Sequence, residues 1–142
     1  MYLHKELETL TRPEIEKLQL ERLKKTVHHC MNSPFYKKRF EENGLTPEDI
    51  QSLDDLRKIP FTTKQDLRDT YPFGIASVSL DKAVRLHSSS GTTGNPTVII
   101  HTQKDLDEWA NAVARCLHMV GLRPSDVFQN SSGYGMFTGG LG

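Results

Sequence analysis

Apolar residues recur at helical spacing through the first 70 positions, then give way to short β-branched runs, then return to helical spacing after residue 102. Leu20, Leu23, Val27 and Cys30 or Met31 fall three or four residues apart, which puts them on one face of a helix over about 13–31. Thr11-Arg12-Pro13-Glu14 supplies its start: a hydroxyl at the cap, proline in the first turn and a carboxylate three residues on. Asn32-Ser33-Pro34 ends that helix and opens another, which runs to Gly44 as its left-handed cap. Thr46-Pro47-Glu48-Asp49, Ser52-Leu53-Asp54-Asp55 and Thr63-Lys64-Gln65-Asp66 repeat the same starting grammar. Residues 1–70 read as a helical subregion.

The pattern changes after Tyr71-Pro72. Val84-Arg85-Leu86-His87 is a short extended segment, and Thr97-Val98-Ile99-Ile100-His101 is β-branched and apolar enough for a buried strand. Thr102-Gln103-Lys104-Asp105 then caps a long helix carrying the stripe Leu106, Trp109, Ala110, Val113, Leu117 and Val120. Gly121 caps it, Pro124 prevents its resumption, and Val127-Phe128-Gln129-Asn130 reads as a strand returning to the sheet. The second half, 71–142, is α/β.

Composition sharpens this division. Of 36 charged side chains in the 142 residues, 26 lie in 1–70, and none lies in 86–103 or 127–142. Nine of ten glycines lie at or after Gly74. Eighteen basic side chains balance eighteen acidic ones, so no net positive field draws nucleic acid or anionic lipid. Apolar runs fall far short of the roughly 20 residues that span a bilayer, and the first residues carry no apolar leader. Two cysteines, Cys30 and Cys116, make no disulfide framework, which favours a reducing cytoplasm. The apolar, glycine-rich run Tyr134-Gly135-Met136-Phe137-Thr138-Gly139-Gly140-Leu141-Gly142 reads as a turn entering a helix. The α/β part is expected to be incomplete at its C-terminus.

Between the two predicted strands lies Ser88-Ser89-Ser90-Gly91-Thr92-Thr93-Gly94-Asn95-Pro96-Thr97. Five hydroxyls and two glycines occupy seven consecutive positions. Glycines let successive backbone N–H groups converge on an anion, and hydroxyls add rotatable donors to the same concavity. A polyphosphate would satisfy both sets. A solvated turn is the plainer alternative, but apolar strands flank the loop closely and the surrounding 18 residues carry no charge. A Walker A loop is excluded, because Gly94 is followed by Asn95-Pro96 and a strand rather than by Lys and a helix.

Ser89-Ser90-Gly91-Thr92-Thr93-Gly94-Asn95-Pro96 resembles the phosphate loop of acyl-adenylate-forming enzymes. The wider run resembles the phenylacetate–CoA ligase family: Tyr71-Pro72-Phe73-Gly74, Arg85-Leu86-His87, Pro96-Thr97, His101-Thr102, Asp105-Leu106, Trp109, Ala114-Arg115, Gly121, Asp126, Asn130 and the 134–142 tail. The resemblance covers nearly the whole chain and is specific over 71–142. Many members carry Lys where this chain has Asn95, which leaves one fewer cation for the phosphates. The resemblance implies that ATP and an aryl carboxylic acid give an acyl-adenylate and pyrophosphate, and that coenzyme A then displaces AMP. Mg²⁺ would assist. Ser89, Ser90, Gly91, Thr92, Thr93, Gly94 and Asn95 would hold nucleotide phosphates; Tyr134, Phe137 and Gly139 would form part of the acid pocket. No catalytic residue or metal ligand of the family falls within the chain, which would be the N-terminal part of the enzyme, inactive alone, and disposed to self-association or association with the remainder.

Other residues carry plainer readings. Core packing is the alternative for Tyr134 and Phe137, with equal weight for Phe137. Trp109, on its helix's apolar stripe, is read as core, and Cys116 as a buried small hydrophobe. His28-His29-Cys30 cannot converge on one ion, since neighbouring helical positions diverge by ~100°. His87 and His101 flank the loop and are read as structural, with phosphate contact as the alternative. Lys37-Lys38-Arg39 followed by Glu41-Glu42 reads as a solvated helix face. A different class of function stays open: a non-catalytic helical and α/β interaction module with a Gly/Ser-rich turn.

Overall fold

A computed structural model describes residues 2–89, 95–129 and 131. Its helices are α1 (Lys5–Glu8), α2 (Arg12–Cys30), α3 (Pro34–Glu42), α4 (Lys64–Asp69) and α5 (Gln103–Met119), with strands β1 (Arg85–Ser88) and β2 (Val98–His101) between α4 and α5. Short 3₁₀ turns at Pro47–Asp49, Asp54–Lys58 and Leu80–Lys82 fill the connections.

The predicted caps form. Glu14 Oε2 accepts from the Thr11 N–H at 2.8 Å and from the Thr11 hydroxyl at 2.6 Å, which fixes the first turn of α2. Asp49, Asp55 and Asp66 close the later turns in the same way, each accepting from the backbone N–H and hydroxyl of Thr46, Ser52 and Thr63. Gly44 sits at φ +61°, and the Leu45 N–H reaches back to the Phe40 carbonyl at 3.0 Å, so α3 ends on a left-handed cap.

The core of the helical half is Val27, Phe40 and Ile50, with Leu23, Met31, Leu45 and Ile59 packed against it. Here the structure departs from one expectation. Arg39 does not belong to a solvated face: its guanidinium binds Asp66 at 2.7 Å, donates to the Phe61 carbonyl at 2.6 Å and lies 4.5 Å over the Phe35 ring. The cluster Lys37-Lys38-Arg39 spans about 200° of a helix, so its third member turns inward while its neighbours stay in water.

The second half is less covered. β1 and β2 pair antiparallel with Arg85 opposite His101 and Ser88 opposite Val98. Val98 is buried while Ile99 beside it is exposed, so the ribbon has one packed face. α5 follows with Thr102 as its cap, the Thr102 side chain accepting from the Asp105 N–H. None of its residues is fully buried. A strap from the N-terminus crosses it: His4 Nε2 meets Asn111 Oδ1 at 3.0 Å, and Arg115 lies 3.7 Å from Glu8.

Two further expectations are corrected. Residues 127–129 form no strand; Val127 and Phe128 stand exposed beyond α5, because a strand is made by backbone pairing with a neighbour, and neither described strand pairs with them. Cys116 is exposed rather than buried: it continues the Leu106–Trp109–Val113 line of α5, but that line loses its cover past Trp109, and Val113 is already exposed. No described helix is long and apolar enough to cross a membrane.

Candidate functional site

The loop's two ends are fixed by its stem. Beyond the last paired residues of β1 and β2, the Ser89 N–H donates to the Thr97 carbonyl at 3.0 Å. The Thr97 N–H donates in return to Ser89 Oγ at 2.9 Å. Ser89 Oγ is therefore an acceptor within the stem, and its own hydroxyl proton is left to donate elsewhere. Asn95 is exposed, and Pro96 and Thr97 are half-buried. Ser90, Gly91, Thr92, Thr93 and Gly94 lie outside the described residues, as do Tyr134, Phe137 and Gly139. Of the residues expected to bind phosphate, the described ones thus split: Ser89 frames the loop and Asn95 faces solvent.

The stem rests on a ring cluster. His87 is 1% exposed and packs edge-on against Trp109 at 5.4 Å between centroids. Trp109 is half-buried, as its place on the apolar stripe implied, and it also meets His101 at 5.5 Å. Burial, then nearby His101 and Arg85, hold the His87 imidazole below its ordinary value. The sequence placed both histidines beside the loop; that they face each other and the tryptophan needed the strand register.

A groove of about 420 Å³ opens beside β2, between the end of α2, the 72–78 segment and the first turn of α5. Its floor is apolar, with Phe73, Ile75, Val98 and Ile100, and its rim carries His29, Cys30, His101 and Asp105. Burial pushes the Cys30 thiol up, so it stays protonated and unreactive. Among the described residues no three His, Cys, Asp or Glu side chains are grouped to hold a metal ion.

Known proteins give this geometry a context. No protein-family model matches the chain. It is 51% identical over 137 residues to the phenylacetate–coenzyme A ligase of Escherichia coli strain K12, across 96% of this chain. The chain is homologous to part of the phenylacetate–CoA ligases. The phenylacetate–coenzyme A ligase of Thermus thermophilus is 49% identical over 138 residues. The chain spans 31% of the length of each of these relatives. The family resemblance drawn from the loop and its flanks is borne out.

Solved structures agree. The fold matches 2-hydroxyisobutyryl-CoA ligase in the postadenylation state, in complex with 2-HIB-AMP, with TM-score 0.83 and 29% identity, over 93% of this chain and 29% of that one. The same ligase with 2-HIB-AMP and CoA in the thioesterification state matches with TM-score 0.77 and 34% identity, over 83% and 26%. The expected fold, a helical front leading into part of the α/β domain of an acyl-adenylate-forming enzyme, is in keeping with these matches to an acyl-CoA ligase.

Proposed function

We propose that this chain is the phosphate-binding part of an AMP-forming aryl-acid–CoA ligase. The observation that carries the reading is the double bridge between Ser89 and Thr97, which closes a stem under a hydroxyl- and glycine-rich loop in a chain 51% identical to a phenylacetate–CoA ligase. In the first step the acid's carboxylate attacks the α-phosphorus of ATP, and the bond to the β-phosphate oxygen breaks. Pyrophosphate leaves with the electron pair. Donors from Ser90, Thr92 and Thr93, with backbone N–H groups turned inward at Gly91 and Gly94, would stabilise the charge that gathers on it. The coenzyme A thiolate then attacks the acyl carbon and expels AMP, so thioester formation no longer involves pyrophosphate.

Tyr134, Phe137 and Gly139 would line one wall for a flat acid. Mg²⁺ would neutralise phosphate charge when bound; among the described residues no three His, Cys, Asp or Glu side chains are grouped to hold it. The relatives are about three times as long as the matched segment, and the exposed apolar side chains of Met119, Val120, Val127 and Phe128 are ones that further polypeptide would cover.

Reconstitution tests the proposal. The chain is coexpressed with the two-thirds of the E. coli relative that it does not match, and AMP release is followed with phenylacetate and ATP. Neither piece alone should release AMP; the pair should. Acid-dependent AMP from the chain alone would overturn the division of labour. A soluble but silent pair, where the relative's own two pieces are active together, would overturn the function.

A further inference from the structure

Three aromatic rings, from the two strands that border the loop and the helix that follows them, meet beside its stem. His87 lies on β1, His101 on β2 and Trp109 on α5, with centroids 5.0 Å apart for the two histidines and 5.4 Å and 5.5 Å from each to the indole. His87 is almost wholly buried, and neither Nδ1 nor Nε2 has a hydrogen-bond partner among the described residues. Buried polar atoms are nearly always bonded, so an unpartnered ring marks a place where packing and solvation conflict. A neutral imidazole tolerates that setting far better than an imidazolium.

The surrounding charges offer a proton no relief. Arg85 on the same strand and His101 on β2 both oppose a positive charge on His87. α5 presents the Trp109 ring; its Asp105 faces the charges of His101 and of His29 on α2, and among the described residues no carboxylate acts on His87. His87 also sits two residues before Ser89, so anything that displaces its ring pulls on the bridge to Thr97.

We propose that the His87–His101–Trp109 cluster is a proton-sensitive latch that positions the loop: neutral, its packed rings hold β1 and β2 in register, and a proton on His87 opens the stem. His87 is thus a positioning residue. The consequence for catalysis rests on the phosphate-loop reading; the latch itself does not. The sign follows from linkage. His87 is harder to protonate in the closed stem than in an opened, hydrated one, where it titrates near ~6.5. Closure is complete above that pH, and each pH unit below it shifts the balance toward the open stem by up to about tenfold, until the closed form takes the proton too.

The 142-residue chain is enough for the test, because Trp109 is its one tryptophan. Between pH 7.5 and 5.0, amide-exchange protection at Ser89 and Thr97 should fall about tenfold per unit below ~6.5, with a red shift of Trp109 emission in step. His87→Phe should keep the ring packing and abolish both responses, while His101→Phe keeps them. Should His87→Phe fail to fold, the ring spectrum of His87 in the unaltered chain decides: its protonation must coincide with loss of Ser89 protection. A pH response that survives in His87→Phe, or a His87 ring that protonates near 6.5 with Ser89 still protected, would overturn the latch. Calorimetric titration with pyrophosphate at pH 7.5 and 5.5 keeps the two readings apart. A stem that opens in acid while pyrophosphate binds at neither pH supports the latch and sinks the phosphate loop.

Discussion

Ser89 and Thr97 are joined twice, backbone N–H to carbonyl at 3.0 Å in one direction and backbone N–H to side-chain oxygen at 2.9 Å in the other. A serine expected to bind phosphate thus also closes the loop that would do so. Ser89→Ala leaves the half-buried Thr97 N–H without its acceptor, at a cost of about 0.5–1.5 kcal/mol. Amide exchange at Thr97 should quicken, with the ribbon retained by the remaining backbone bond. Ser89→Thr should restore protection; unchanged exchange in both variants would show that the side-chain bridge does not form in solution.

Loop chemistry has its own signature in the reconstituted enzyme. On the proposed phosphate-loop reading, Thr93→Ala would remove one charge-assisted donor, worth about 1.5–3 kcal/mol, or roughly tenfold to a hundredfold in rate. If the loop cradles phosphate as proposed, Gly91→Val adds a Cβ where left-handed backbone would be required, with strain of about 1–3 kcal/mol. Acyl-adenylate formation should slow in both, while thioester formation from supplied acyl-adenylate changes little. Equal loss in both half-reactions, with the fold intact by circular dichroism, would count against a phosphate cradle.

Asn95 is exposed beside the stem. Asn95→Lys should tighten ATP binding modestly, and more at low ionic strength than at high, as a partly screened charge must. Calorimetric affinities at two salt concentrations decide; no gain at either places residue 95 away from the nucleotide.

Acid should weaken the helical half through Asp66. The Arg39 guanidinium first, then the Thr63 N–H and hydroxyl, hold its carboxyl down at about 2. A depressed carboxylate contributes stability that is complete above its unfolded value of ~3.9 and is lost as pH falls from there toward 2. Melting temperature should drop through that window in the unaltered chain and drop less in Asp66→Asn, which starts lower. Parallel curves for the two would remove Asp66 from the account.

Exposed apolar side chains at Met119, Val120, Val127 and Phe128 should make the chain associate at micromolar concentration. Met119→Gln with Phe128→Ser should lower its sedimentation coefficient toward that of a monomer. Monomeric behaviour of the unaltered chain would show that these side chains need no cover.

Local rules reached the helical half almost intact from sequence. Thr11, Thr46, Ser52, Thr63 and Thr102 each precede a carboxylate by three residues, and each pair is bonded in the structure, because a cap is satisfied within one turn. The same holds for Gly44, whose left-handed cap is also satisfied within one turn. What the sequence could not determine is whatever depends on which surface faces which. Arg39 turned inward because Asp66, 27 positions away, waits there. His87, His101 and Trp109 meet only through the register that sets Arg85 opposite His101 and packs α5 on β2. Val127 and Phe128 are apolar enough for a strand and remain unpaired among the described residues, since strand pairing is a contact between distant segments, and hydrophobic pattern states a demand for burial without naming the partner that meets it.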